Sequence, residues 1–286
     1  MRTESEMMNS ILNFAKSNEK IRAVWLNGSR ANNNIEKDDF QDYDIVYVVD
    51  DTSRFIEDKS WIDYFGKTII IQEPDDIDRN LGEDLDFSHH YMFLILFKDG
   101  NRIDFKFLNK AYAVDEYKHD SLTVLLLDKD NFLPSSSDPS DLDYWVKKTS
   151  EAEFKACQSE FWWCLQNISK GIMRDELTFA MRMYQIAHEE LEKMTNWYIG
   201  INTGFTTSVG KFGKYYKKYL PNEIYELYIK TYSDSDYENL WNAMFSSCEL
   251  FQIFSKHVSN NLDFEFDLSI GDKVVEYIQR IRDTVR

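Results

Sequence analysis

The stretch "FLILFKDGNRIDFKFL", residues 93–108, constrains the fold of this chain more than any other. The Asp-Gly at its centre is a strong hairpin signal, and the runs on either side have the composition of strands. Strands over residues 91–97 and 102–108 are therefore expected as antiparallel neighbours. Alternation also sorts their side chains between two faces. On the second strand Ile103, Phe105 and Phe107 share one face, while Arg102, Asp104 and Lys106 share the other. A sheet containing this hairpin has an apolar side and a side that carries charge.

Further strands are expected over residues 21–26, 43–49, 68–72 and 122–127. Thr3 and Glu6 have capping-box spacing ahead of Met7, Ile11, Leu12, Phe14 and Ala15, which recur at helical period. A second helix is expected over residues 54–65. Residues 131–141, "NFLPSSSDPSD", hold two of the chain's four prolines among serines and aspartates and mark the best boundary. Beyond them the pattern is helical, over residues 143–170, 174–197, 222–232, 237–258 and 272–286. The fold class is thus α+β: a mixed β-sheet with helices over residues 1–135, then a helical bundle over 136–286.

At 286 residues the chain suits two ordinary domains. Apolar residues make up 43% and aromatics 15%, which argues against a disordered chain. No apolar run approaches the roughly 20 residues needed to span a bilayer, so no membrane partner is expected. Residues 1–20 do not read as a signal peptide. Cys157, Cys164 and Cys248 lack metal-ligand spacing and fit reduced thiols in a core, consistent with a cytoplasmic protein. A net charge of -17 would repel a nucleic-acid backbone, and either concentrates small cationic partners or serves solubility alone.

Asp-x-Asp pairs are common in so acidic a chain, and context must separate them. Asp42 and Asp44 stand at the mouth of a strongly apolar strand, with both side chains on one face. Upstream, Gly28-Ser29-Arg30 leaves another strand through a turn. There Gly28 permits close backbone approach, and Ser29 with nearby N–H groups can hydrogen-bond a phosphate. If the strand bearing Asp104 lies beside residues 43–49, its carboxylate joins the other two. Three carboxylates so packed repel one another unless hard cations neutralise them. Mg²⁺ takes such oxygen ligands together with water and phosphates, and two such ions would clamp a nucleotide phosphate for displacement.

Gly28-Ser29, Asp42-x-Asp44 and Asp104 on a later strand resemble the nucleotidyltransferase fold shared with DNA polymerase β. Longer strings go further. "LNGSRANNN", "DDFQDYDIVYVV", "FWWCLQNISKGIMRDE" and "VGKFGKYYKKYL", with the hairpin, resemble the aminoglycoside 6-adenylyltransferases, the streptomycin-modifying enzymes. The resemblance runs in order over nearly the whole chain. It implies that MgATP donates AMP to a streptomycin hydroxyl, O6, with pyrophosphate leaving and the antibiotic inactivated. Asp42, Asp44 and Asp104 would hold two Mg²⁺ ions, and Asp104 would also accept the hydroxyl proton. Gly28, Ser29 and Arg30 would contact the phosphates of ATP. The helical domain would complete the cleft for nucleotide and aminoglycoside; an acidic cleft and separate domains would work in a monomer, and the charge leaves no role for nucleic acid.

Other features admit two readings. Lys211, Lys214, Lys217 and Lys218 form a basic island that is either a solvated helix start or, for Lys211 and Lys214, a partner of the triphosphate. Asp175 and Glu176 either favour a helix dipole or bind the guanidinium groups of the aminoglycoside. The acidic run over residues 73–86 is expected as a loop that could line the same cleft. His89-His90 lacks further ligand spacing and reads as structural. Two rival functions remain: the same chemistry on a lincosamide or a protein side chain, and a nucleotide-binding sensor without turnover. The three aspartates weigh against the sensor.

Overall fold

The chain is described by a computed structural model over residues 1–117, 119–135, 137–265, 267 and 269–284. By packing it falls into two units, Met1–Asp143 and Tyr144–Arg286. The sequence-level break at residues 135/136 touches Ser136, which lies outside the described residues.

In the first unit, α1 (Glu4–Ser17) starts where the Thr3 side chain accepts the Glu6 N–H and the Glu6 carboxylate accepts the Thr3 N–H. Its Met7, Ile11, Phe14 and Ala15 are buried. β1 (Ile21–Asn27) leads into a single 3₁₀ turn, Gly28–Ala31, and the chain returns as β2 (Tyr43–Val49). Next come α2 (Ser53–Glu57) and a 3₁₀ stretch, Lys59–Phe65. The single helix expected over 54–65 is broken at Asp58, whose extended backbone and side chain cap the second segment through the Ser60 N–H.

β3 (Thr68–Gln72) is followed by α3 (Pro74–Asn80), a helix inside the run expected as a loop. Periodicity missed it because none of its residues is buried. Pro74 at its start and two acidic residues in its first turn are the local signals. Carboxylates at its start also have structural work: Asp75 accepts the Met92 N–H at 2.6 Å, and Glu73, just before the helix, accepts from Lys59 and the Tyr91 hydroxyl. β4 (His90–Phe97) and β5 (Arg102–Asn109) form the expected antiparallel hairpin. The short α4 (Ala113–Tyr117) precedes β6 (Thr123–Asp128).

The six strands make one mixed sheet in the order β3-β4-β5-β2-β1-β6. β2 and β5 are its central parallel pair, and their register sets Asp44 opposite Asp104. One face is packed by Tyr43, Ile45, Tyr47, Phe93, Phe105 and Phe107 under α1 and the 3₁₀ stretch. The Phe55 and Phe107 rings stack at 4.3 Å, and the Tyr47 hydroxyl donates to the Ile11 carbonyl. The other face carries only a small cluster around Trp25, Val46, Val48 and Tyr117. β2 is thus apolar on both sides, which explains its unbroken apolar run.

The second unit is helical: α5 (Glu151–Met173), α6 (Leu177–Asn202), α7 (Tyr216–Tyr219), α8 (Asn222–Ile229), α9 (Tyr237–Leu262) and α10 (Ser269–Asp283). The last two residues of the final expected helix, 285 and 286, lie outside the described residues. α5 begins at 151 rather than 143 because Ser150 and Glu153 form a capping box. Ser150→Ala is expected to cost about 1 kcal/mol, read as a fall of roughly 2–4 °C in the melting transition of this unit. An unchanged transition would show that the cap contributes nothing.

Gly171 lets α5 approach α6, since a Cβ there would lie 2.9 Å from that of Ala180. Phe161 and Phe251 stack at 3.8 Å in the core. Cys157, Cys164 and Cys248 are buried free thiols whose pKa burial pushes up, so they pack rather than react. Among the described residues no helix is long and apolar enough to cross a membrane.

Candidate active site

The charged face of the sheet is where β1, β2 and β5 bring their polar residues together. Asn27, Asp44 and Asp104 are cross-strand partners in one row, because β1 pairs Asn27 with Asp44 and β5 pairs Asp104 with Asp44. Asp42 lies one residue before β2, on the same face as Asp44. The aspartates read from the sequence are therefore brought together by a register that no local motif encodes.

Gly28 tightens the arrangement. Its φ of +73° suits glycine, and a Cβ there would lie 2.2 Å from Asp44 Oδ2. The turn backbone thus presses directly on the Asp44 carboxylate. Ser29 follows in the same turn, its carbonyl accepting the Asn32 N–H. Arg30, in contrast, is 5% exposed. Its Nε and Nη2 donate to the Gln41 carbonyl at 3.1 and 2.7 Å, and its guanidinium lies 3.8 Å over the Tyr43 ring. Nη1 is 3.7 Å from Glu4. These contacts tie the Gly28 turn to the segment leading into Asp42.

Burial raises the Asp44 pKa to about 6, helped by the Asp104 and Asp42 charges and opposed by Arg102. Arg102 is the counter-charge that Asp104 and Asp42 share. Its Nε and Nη2 donate to the two Asp104 oxygens at 2.8 and 2.7 Å, and Nη1 lies 3.4 Å from Asp42. Three hard-oxygen carboxylates on one face are the donor set that Mg²⁺ takes, so the residues fit such an ion by their chemistry. As they stand they do not converge on one point: among the described residues no three carboxylate, histidine or cysteine side chains do.

Beside Asp44 and Asp104 opens a cavity of about 260 Å³, whose walls include Asn27, Lys106, Glu116 and Asp120. Lys106 Nζ donates to Glu116 at 2.8 Å. Asn27 Nδ2 donates to Asp120 and to Thr123 Oγ1, while its Oδ1 is buried without a partner among the described residues. Sequence reasoning missed Asn27, Glu116 and Asp120 as neighbours of the aspartates. Lys106 was legible from the alternation of β5. Asp120 had no signal, since only the pairing of β6 with β1 brings it there.

With this geometry in view, relatedness becomes informative. The family model described as streptomycin adenylyltransferase matches residues 1–281. The chain belongs to that family. It is 37% identical over 288 residues to an aminoglycoside 6-adenylyltransferase of Bacillus subtilis (strain 168), covering 100% of each chain. It is 38% identical over 281 residues to one of Campylobacter jejuni, covering 98% of this chain and 96% of the relative. Among solved structures it is similar to that of an aminoglycoside 6-adenyltransferase from Bacillus subtilis, with a TM-score of 0.47, 33% identity and 99% of each chain covered. Membership makes this chain an aminoglycoside adenylyltransferase.

The remaining candidate residues of this adenylyltransferase lie in its helical unit. Lys211 opens a 3₁₀ turn, Lys211–Gly213, held between Gly210 and Gly213, both at φ +71°. Both Lys211 and Lys214 are exposed, with Nζ of Lys211 5.2 Å from the Phe212 ring and Nζ of Lys214 5.1 Å from the Tyr215 ring. Asp175 has a left-handed φ of 57° and accepts the Tyr237 hydroxyl at 2.9 Å. Glu176 stands at the start of α6 without a side-chain capping bond. His89 and His90 face Glu116 and Asp75 at 3.8 and 3.6 Å.

Proposed function

We propose that the enzyme transfers AMP from MgATP to a hydroxyl of streptomycin, at O6, releasing pyrophosphate and inactivating the antibiotic. The observation that carries this reading is the register of β2 and β5, which sets Asp44 beside Asp104 with Asp42 two residues away. Relatives along the full chain named aminoglycoside 6-adenylyltransferase support the choice of acceptor. Bound to the oxygens of Asp42, Asp44 and Asp104, Mg²⁺ would offset the triphosphate charge and polarise the α-phosphoryl group.

The chain's own residues have separable tasks. Asp104 accepts the proton as the acceptor hydroxyl oxygen bonds to the α-phosphorus. The bond from that phosphorus to the bridging oxygen breaks, and pyrophosphate departs with the electron pair. No covalent enzyme intermediate is needed, so positioning and charge neutralisation carry the catalysis. The Gly28-Ser29 backbone N–H groups hydrogen-bond the phosphates, beside the Asp44 carboxylate, which leaves no room for a Cβ at Gly28. Arg30 braces that turn through Gln41 and Tyr43 and adds its fixed positive charge beside the phosphates. Lys211 and Lys214 offset triphosphate charge. Asp175 and Glu176 pair with the guanidinium groups of streptomycin.

The test is pyrophosphate release from MgATP with and without streptomycin, with EDTA and Asp104→Ala as controls. Streptomycin-dependent release lost in both controls is the expected result. Release with another acceptor alone would discard streptomycin and keep the chemistry. ATP binding with no release for any acceptor would discard the transferase reading.

A further inference from the structure

Arg102 lies among the three aspartates with every guanidinium nitrogen turned to a carboxylate. It precedes Asp104 by two residues on β5, so both side chains leave the same face. Its planar fork takes both oxygens of Asp104 at 2.8 and 2.7 Å, and its third nitrogen faces Asp42 at 3.4 Å. Asp42 immediately precedes the neighbouring strand of the parallel pair, so one side chain spans β5 and the entry to β2. A guanidinium cannot give up its proton in a protein, and its charge here is permanent.

We infer that Arg102 is a positioning residue that competes with the divalent cation for Asp104 and Asp42 and so sets how tightly the enzyme holds its metal. The inference rests on the assignment of those aspartates as metal ligands. An oxygen lone pair that accepts an Arg102 N–H is not free for a metal ion. With one lone pair on each Asp104 oxygen engaged in the fork, a metal must either take a remaining lone pair beside a fixed positive charge or displace the fork. The side chain has room to move aside, being 41% exposed. Until then it keeps mutually repelling carboxylates assembled, a task that the dication takes over. The coupling is reciprocal: whatever Arg102 gains from the pair, the metal must displace.

The experiment measures Mn²⁺ binding to the full-length protein at pH 8 by electron paramagnetic resonance of the free ion. Removing a unit positive charge this near a dication should tighten binding, so Arg102→Gln is expected to lower the Mn²⁺ dissociation constant about tenfold. Arg102→Lys keeps the charge but cannot hold both Asp104 oxygens, and about threefold tightening is expected. An arginine that served only to shape the cluster would have the opposite effect, since its loss would scatter the ligands and weaken binding. Unchanged or weaker binding in Arg102→Gln overturns the inference. Should that variant not fold, unchanged or weaker binding in Arg102→Lys overturns it instead. Asp44→Asn separates the two ideas. If it binds Mn²⁺ as well as the parent does, the metal-ligand assignment itself fails. If it loses the ion while both Arg102 variants bind like the parent, only the competition fails.

Discussion

Asp44→Asn should lose at least about a thousandfold in streptomycin-dependent pyrophosphate release, yet melt roughly 5 °C above the parent in EDTA at pH 8. Both effects come from one carboxylate. Burial, with the charges of Asp104 and Asp42, raises its folded pKa to about 6 from an ordinary 3.8. Between those values the folded state holds a proton that the unfolded chain has released. Folding stability therefore falls as pH rises through this window, and the full penalty is present above about pH 7. Holding the group ionised so far above its ordinary range costs on the order of 3 kcal/mol. Asparagine carries no such penalty, so the stability gap should close toward pH 4. Thermal melts at pH 4 and pH 8 decide the matter. A variant less stable than the parent at pH 8 would mean that Asp44 is stabilised, not strained, by its surroundings.

Gly28→Ala should reduce kcat/KM at least about a hundredfold with a smaller effect on stability. Alanine at φ +73° costs about 1–2 kcal/mol by itself. The larger consequence is local, because the new methyl would sit 2.2 Å from Asp44 Oδ2 and 3.0 Å from its Cγ. A carboxylate can rotate away from a methyl group, so the fold survives, but the carboxylate is then reoriented beside its cross-strand neighbour Asp104. Repeating the substitution in an Asp44→Ala background removes the clash and leaves only the backbone term. The stability cost should then shrink by about 1 kcal/mol, the coupling expected of side chains in contact. Equal costs in both backgrounds would show that Gly28 serves the turn alone and does not seat the carboxylate.

The strand over 43–49 and its two aspartates were legible because alternation and an unbroken apolar run are local facts. The hairpin at Asp99-Gly100 was legible for the same reason. Helix edges were harder to read where short-range hydrogen bonds overruled periodicity. Ser150 starts α5 by capping, Asp58 splits one expected helix into two segments, and α3 buries nothing that a hydrophobic pattern could detect. At Arg30 the Gly-Ser motif gave no sign of the Gln41 carbonyl and Tyr43 ring that hold its guanidinium, because both come from across the loop.

The sequence by itself determined which residues could do chemistry: carboxylates at strand mouths, a glycine where backbone must approach, and an arginine two residues before Asp104. Motif strings spread along the chain were enough to suggest the family. Only the tertiary structure decided that β5 lies parallel to β2 in the register that joins Asp44 to Asp104. It alone made Arg102 a bridge between Asp42 and Asp104. The physical reason is that strand pairing is fixed by the packing of an entire face. Tyr43, Ile45 and Tyr47 on β2 and Ile103, Phe105 and Phe107 on β5 share one core, and slipping either strand by one residue would expose them all.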